Sequence, residues 1–391
     1  IDNEKLREHI RKHGKEWFCR SWGVSADLIN STLGEYLDFK NGQSSPERKC
    51  GASVPVYGSN GIIGYSEESN APGNCLIIGR VGSYCGSVYH SYNRCWVTDN
   101  AISSIPKYEG ESEFWYFLLV YLNLNSYRSG SGQPLLNQAT LKTIQISIPR
   151  LSKERSLIGK VLMEFDDKIQ LNRQINHTLE EMAQAIFKSW FVDFEPVKAK
   201  IEAKTNGQDP ERAAMCAISG KSDAELDNLS PDQLAQLRNT ADLFPDELTD
   251  SELGPIPMGW KSLPLSQLVH LIGGGTPKRS IPEYWNGEIP WFSVQDAPDK
   301  GDVFVVDAKE KITKFGLDKS STKLLPIGTT IISARGTVGR LALIGTEMAM
   351  NQSCYGVLGV DGIGKYFNFF NLQIDIEQLN FKKFEYTLFA P

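Results

Sequence analysis

The stretch 152–195, SKERSLIGKVLMEFDDKIQLNRQINHTLEEMAQAIFKSWFVDFE, constrains this chain more than any other. Apolar residues recur in steps of three and four: Ile158, Val161, Leu162, Phe165, Ile169, Leu179, Met182, Ile186 and Trp190. That spacing puts them on one stripe of an α-helix. Ser152 is a candidate N-cap, Glu154 lies in the first turn where the helix dipole favours an acid, and Pro196 supplies a stop. At about 1.5 Å per residue such a rod spans roughly 65 Å, more than a compact domain needs. The stripe is therefore a candidate face for packing a partner helix. Asn172 and Asn176 interrupt it. Polar residues in an apolar seam either fix register against a partner or mark a solvated kink in a surface helix; the spacing leaves both readings open.

A chain of 391 residues is long enough for two or three domains, each with its own core. No apolar run reaches membrane-spanning length and no signal peptide opens the sequence, so a cytoplasmic protein without a membrane partner is expected. The seven cysteines are odd in number, widely spaced and without a C-x-x-C pair. They fit reduced thiols better than a disulfide frame or a metal centre, and no metal is expected. The net charge of −6 is unevenly spread: residues 200–259 hold twelve acids and five bases. The rest of the chain is nearly neutral, so local basic patches for phosphate remain possible.

The pattern divides the chain into an N-terminal helical extension (1–30), an α/β domain (31–150), the long helix (151–196), an acidic connector or insertion (197–258) and a second α/β domain (259–391). In the first domain short apolar runs alternate with glycine-rich turns; 75–78, 87–89 and 144–148 suit strands, and 114–124 a buried helix. In the connector one capped helix is expected, with Ser230 as N-cap, Pro231 at its first position and Gln233 at its third; the remainder reads as solvated. The two α/β segments echo each other. Leu33-Gly-Glu-Tyr-Leu…Gly42 matches Leu265-Ser-Gln-Leu-Val…Gly274, and Val54-Pro-Val-Tyr-Gly-Ser-Asn60 matches Ile289-Pro-Trp-Phe-Ser-Val-Gln295. Ile77-Ile-Gly-Arg-Val-Gly-Ser83 resembles Ile331-Ile-Ser-Ala-Arg-Gly-Thr337, and Thr98-Asp-Asn-Ala resembles Met350-Asn-Gln-Ser. Several matches in one order argue for a duplicated domain.

Catalytic signatures are missing. There is no G-x-G-x-x-G after a strand, no G-x-S-x-G and no H-E-x-x-H. The sequence Gly359-Val-Asp-Gly-Ile-Gly-Lys365 has the spacing of a phosphate loop, but Tyr366 stands where a Ser or Thr is needed. It reads as a turn outside any strand-to-helix context. No catalytic residue and no cofactor are assigned, and the weight falls on binding. The loops around Arg80, Ser83 and Tyr84 and around Arg335 and Thr337 combine glycine with arginine, which forks onto guanine or phosphate. Arg48 and Lys49 in one domain, and Lys278 and Arg279 in the other, add charge in corresponding loops. Ser59, Asn60, Trp291 and Gln295 complete the candidate DNA-binding set. The competing reading is tight strand-connecting turns carrying solvated arginines.

These motifs resemble a known family. Gly273-Gly-Gly-Thr-Pro…Pro282-Glu-Tyr-Trp-Asn-Gly-Glu-Ile-Pro-Trp291 and Ile332-Ser-Ala-Arg-Gly-Thr-Val-Gly339 resemble the target recognition domain of type I restriction–modification specificity subunits. Pro55-Val-Tyr-Gly-Ser-Asn-Gly-Ile-Ile-Gly-Tyr65, Ile78-Gly-Arg-Val-Gly-Ser-Tyr-Cys-Gly86 and Trp96-Val-Thr-Asp-Asn-Ala101 resemble another variety of it, and Lys188-Ser-Trp-Phe-Val-Asp-Phe-Glu-Pro196 the end of its central conserved spacer. The resemblance implies an α/β (α+β) fold with two related target recognition domains separated by a long conserved spacer helix. It implies a non-catalytic subunit that reads a bipartite double-stranded DNA target. It also implies docking of two N6-adenine methyltransferase subunits and, through them, restriction subunits. The partner-helix packing set is Ile158, Val161, Phe165, Ile169, Asn172, Asn176, Leu179, Met182, Ile186 and Trp190. The family's second spacer helix is not found before Pro391, so an incomplete second domain is expected. Alternatives are an assembly subunit that pairs methyltransferases, or the recognition part of a fused restriction–methylation enzyme.

Overall fold

The computed structural model describes residues 27–128, 135–252, 254–298, 301–379 and 387–390. Residues 1–26, which hold Cys19 and most of the expected N-terminal extension, lie outside the described residues. The chain forms two compact units that meet at Leu171 and Asn172. That boundary falls inside the long helix.

The first unit opens with β1 (Leu28–Thr32), the one-turn helix α1 (Leu33–Tyr36) and β2 (Leu37–Asn41). A hairpin follows, β3 (Val54–Gly58) and β4 (Gly61–Ser66), and then β5 (Cys75–Gly79), β6 (Val88–Ser91), β7 (Trp96–Val97) and β8 (Ala101–Pro106). The helices α2 (Ser112–Tyr121) and α3 (Gln138–Thr143), with β9 (Gln145–Pro149), complete the domain before α4 (Ser152–Phe191). Two sheets result, in the orders β2-β8-β5-β6 and β4-β3-β7, and β1 pairs antiparallel with β9. The β5 run Cys-Leu-Ile-Ile-Gly is buried along its whole length, as a strand covered on both faces should be. Residues 28–30 are thus strand, not part of a helical extension: their ladder with β9 draws them into the domain. Trp115 and Leu119 of α2 fill the core over β5 and β8. Gly159 costs α4 helix propensity, but a Cβ there would meet the Phe114 backbone N at 2.4 Å. Close approach to the start of α2 requires the glycine.

The second unit begins with the rest of α4 and continues through α5 (Glu195–Thr205), α6 (Pro210–Ser219), α7 (Asp223–Leu226), α8 (Pro231–Ala241) and the hairpin β10 (Leu248–Ser251) and β11 (Gly254–Pro257). Its α/β part comprises β12 (Lys261–Pro264), α9 (Leu265–Leu268), β13 (Val269–Gly273), β14 (Trp285–Phe292), β15 (Phe304–Val305) and β16 (Glu310–Ile312). Then come α10 (Lys314–Asp318), β17 (Thr330–Ser333), β18 (Leu341–Ile344), β19 (Ala349–Met350), β20 (Cys354–Gly359), α11 (Lys365–Leu379) and β21 (Thr387–Ala390).

Three sequence expectations change here. Pro196 does not stop the long helix: α4 ends at Phe191, Phe194 turns the chain through a left-handed conformation (φ 54°), and Pro196 sits in the first turn of α5, where its missing N–H costs nothing. The 197–258 stretch is not a solvated connector. Asp209 caps α6, and capping boxes open α7 and α8, the latter through Ser230 and Gln233 as the sequence suggests. Ala214, Met215, Leu226 and Ala241 form a small core of their own, and Phe194, Val197, Phe244 and Trp260 form a second. The buried Lys200 donates to the carbonyls of Ala241 and Phe244 at 2.8 and 2.7 Å, satisfying the C-terminal end of α8. Finally, the 359–365 glycine–lysine loop does join a strand, β20, to a helix, α11. The side chain of Lys365 folds back over Gly328 and the Tyr366 ring rather than into the turn.

The duplication holds strand for strand. The order β2-β8-β5-β6 recurs as β13-β20-β17-β18, with β15 added at one edge, and β4-β3-β7 recurs as β16-β14-β19. The inner pair is parallel in both, β3 with β7 and β14 with β19, and β1–β9 recurs as β12–β21. Gly42 and Gly274 are equivalent: a Cβ on either would lie 1.9 Å from a backbone oxygen, of Thr98 or of Asn351.

Candidate nucleic-acid interface

The first domain brings most of its sequence-selected residues to one end of β3 and β5. Gly79 donates to Ser87 O and accepts from Gly86 N–H, closing the glycine loop, and Gly82 takes a left-handed φ of 74° at its bend. Ser59 is spent inside this patch. Its hydroxyl donates to Asn100 O at 2.5 Å, and its carbonyl accepts from Ser87 Oγ at 2.6 Å. Asn60, Ser83 and Tyr84 are exposed around it. Arg80 is partly covered, and its Nε is buried without a hydrogen-bond partner among the described residues. In the second domain Ser333 donates to Arg340 O and accepts from Gly339 N–H, the same closure. This register makes Ala334, not Arg335, the counterpart of Arg80: Arg80 N–H bonds Asn100 O and Ala334 N–H bonds Ser353 O. Arg335 and Thr337 are exposed one step further along a shorter loop, and Gln295 is exposed on its own turn.

The 43–53 and 275–284 loops carry the other cations. A bulge in β4 sets Val56 opposite Gly64 and Tyr57 opposite Ile62, which leaves the Ile63 carbonyl out of the ladder. Arg48 Nη1 donates to that carbonyl at 3.0 Å, and the Arg48 Cδ lies 2.7 Å from where a Gly64 Cβ would be. Lys49 Nζ lies 3.8 Å from both Glu47 and Glu67. In the second domain Trp291 is the counterpart of Val56, and Glu310 pairs with it as Gly64 pairs with Val56. Arg279 forks onto Glu310, with Nη2 to Oε2 at 2.8 Å and Nη1 to Oε1, while its guanidinium stacks 3.9 Å over the Trp285 ring and 5.0 Å from that of Trp291. The fork holds the Glu310 carboxyl below its usual range and Arg279 above its own. Lys278 is exposed.

Trp291 leaves the contact set. It is 3% exposed and its indole donates to Gly275 O at 3.0 Å, so it is a core residue that anchors the loop. Glu310 escaped the sequence reading, because an acid in Asp-Ala-Lys-Glu-Lys looks like any solvated charge.

The helix face also divides differently from expectation. Ile158 packs in the first unit's core, and Trp190 joins Phe191 and Phe244 in the second's. Val161 and Ile169 are half-buried, Asn172 is exposed, and Asn176 donates to Asp302 Oδ1 at 3.4 Å. Phe165, Leu179, Met182 and Ile186 are 45–56% exposed, and Leu157, Leu171 and Ile175 extend the exposed series. The contact on α11 is made by Phe187 and Phe191, both absent from the predicted set: the Phe187 ring lies 5.3 and 5.9 Å from Phe367 and Phe370, and the Phe191 ring 5.2 Å from Phe367.

The structure defines a duplicated α/β domain, with a long helix between the two copies in the chain. The type I restriction modification DNA specificity domain matches residues 27–181 and 257–388, and the chain belongs to that family. It is 33% identical over 267 residues to the HindI specificity subunit of Haemophilus influenzae, a match covering 64% of this chain and 57% of that protein. It is 34% identical over 144 residues to the EcoprrI specificity subunit of Escherichia coli, covering 34% of this chain and 35% of the relative. The chain thus spans little more than half the length of the Haemophilus relative. A type I S subunit structure from M. genitalium aligns with 90% of this chain and 78% of its own, at 12% identity and a TM-score of 0.49. Among the described residues no helix is long and apolar enough to cross a membrane.

Proposed function

We propose that this chain is the non-catalytic DNA-specificity subunit of a type I restriction–modification system. Each α/β domain reads one half of a bipartite duplex target, and α4 serves as the spacer between them. The observation that carries this reading is the strand-for-strand duplication, which offers the same two loops, glycine-rich and cationic, twice in one chain. Arg80 and Arg335 are the readers of base edges or phosphates, with Asn60, Ser83, Tyr84, Gln295 and Thr337 beside them; Ser59 shapes the loop. Methyltransferase subunits, two per chain, dock on the exposed apolar series of α4, and restriction subunits join through them.

The test is a footprint of the complex formed with the methyltransferase subunits. Two protected segments separated by an unprotected one are expected, with affinity falling steeply as salt rises because phosphate contacts release counterions. A single continuous segment, or none, overturns the reading. Arg80→Ala and Arg335→Ala should each weaken target binding by roughly 1–3 kcal/mol if the side chain forks onto a base. No loss in either variant returns the loops to the role of structural turns.

A further inference from the structure

The Arg-Lys pair of one loop and the Lys-Arg pair of the other are not electrostatically equivalent. Each loop has one compensated cation and one without a carboxylate partner among the described residues. In the first domain Lys49 lies between Glu47 and Glu67. Arg48 spends one donor on the bulge carbonyl of Ile63 and keeps the rest of its fork. In the second domain the roles are exchanged: Arg279 is compensated by Glu310, and Lys278 is exposed. The strand register shows the cause. Arg48 lies over Gly64, and Arg279 lies on Glu310, the residue at the equivalent ladder position. One strand position, glycine in one domain and glutamate in the other, decides whether the arginine above it is neutralised.

We infer that Arg48 and Lys278 are the DNA-contacting cations of these two loops, and that Glu310 holds Arg279 in reserve against Trp285, off the duplex. The first domain then presents a planar fork, which grips a phosphate or guanine at two points, and the second a single ammonium, which grips phosphate as a point charge. The two half-sites are held by different chemistry. This inference rests on the DNA reading above and deepens it.

The probe is mixed-sequence duplex DNA, titrated with the full chain in its methyltransferase complex between 50 and 200 mM salt. Each phosphate contact contributes about 0.9 to the slope of log affinity against log salt, or roughly 3-fold in affinity over that range. Arg48→Gln and Lys278→Gln should each lower the slope by about one contact. Lys49→Gln and Arg279→Gln should leave it unchanged. Glu310→Gln should raise it by about one contact, and the gain should vanish in Glu310→Gln/Arg279→Gln. A gain that survives in that double variant reflects net charge alone and overturns the inference. So does an Arg279→Gln loss equal to that of Arg48→Gln. If Glu310→Gln fails to melt cooperatively, the Arg279→Gln and Arg48→Gln pair decides the matter. Failure of the wild-type complex to bind duplex at all sinks the DNA reading itself; salt-dependent binding with no difference among the variants sinks only this inference.

Discussion

Arg155 fastens the long helix into the first unit, and its removal should cost more than that of any other charged group there. Its guanidinium is 3% exposed and the Glu111 carboxylate 0%. Nε and Nη2 fork onto Glu111 at 3.0 and 2.8 Å, and Nη1 donates to the carbonyls of Pro149 and Arg150 at 2.7 and 2.9 Å. Trp115 Nε1 donates to the same carboxylate at 2.9 Å, and the guanidinium lies 5.1 Å from the Tyr36 ring. Arg155→Met fills similar volume but strands a buried carboxylate, a change worth about 3–5 kcal/mol. For a unit of about 150 residues that corresponds to a melting shift of roughly 6–20 °C. Glu111→Gln/Arg155→Met removes both charges and keeps an acceptor for Trp115, so it should recover at least about 2 kcal/mol of the loss. Native-state hydrogen exchange on the full chain reads this directly. Protection of the β1 and β9 amides should fall, while amides in β17 and β20 of the other unit serve as the internal control. A loss below about 1 kcal/mol, or a double variant no better than the single one, would refute the claim that the pair is energetically coupled.

Two further outcomes follow from particular geometries. His90 lies 4.4 Å from the Tyr92 ring and stacks on Tyr116, and burial lowers its pKa against the opposing pull of Glu113. The unfolded chain therefore takes up this proton first, so the contribution is whole above about pH 6.5 and is lost as the pH falls towards the lower folded value. His90→Phe should flatten the decline of the urea midpoint between about pH 7.5 and 5.5, and an unchanged slope would remove His90 from the acid response. Gly274→Ala drives a Cβ to 1.9 Å from Asn351 O, whereas its neighbour Gly273 has nothing within 4 Å. Thermal unfolding should register about 3 kcal/mol or more for the first substitution and under about 0.5 kcal/mol for Gly273→Ala; equal effects would show that the close approach is not what selects glycine.

The sequence revealed the architecture where period and punctuation agree. The apolar spacing from Ile158 to Trp190 announced α4, and the paired glycines Gly42 and Gly274 announced the duplication. The Ser230–Gln233 capping box marked α8 at the right residue. It failed where a residue's role depends on what lies across a ladder. Trp291 looked like a contact residue, yet its indole is consumed by Gly275 O. Arg80 and Arg335 looked equivalent because both sit in Gly-rich loops, but Arg80 directly follows the loop-closing Gly79, whereas Ala334 stands between the equivalent Ser333 and Arg335. The acidic stretch looked solvated because one of its cores is built from Ala214, Met215, Leu226 and Ala241, dispersed over three short helices, too few in each to show a period. The helical stripe included Trp190 but passed over Phe187, because only the position of α11 shows that Phe187 is covered.

The closing strand pairs also govern how such a chain is made. Leu28 pairs opposite Pro149, and Lys261 opposite Ala390, so the first strands of the two domains wait about 120 and about 130 residues for their partners. At about 5–20 residues per second a ribosome needs roughly 6–26 s to deliver each. Throughout that interval β12 is an open edge, the kind of surface that recruits a strand from a neighbouring chain. It is short, and it begins with Lys261 and ends with Pro264. A charged first residue and a proline without an N–H are what keep a strand of four residues unattractive to strangers until its own partner emerges.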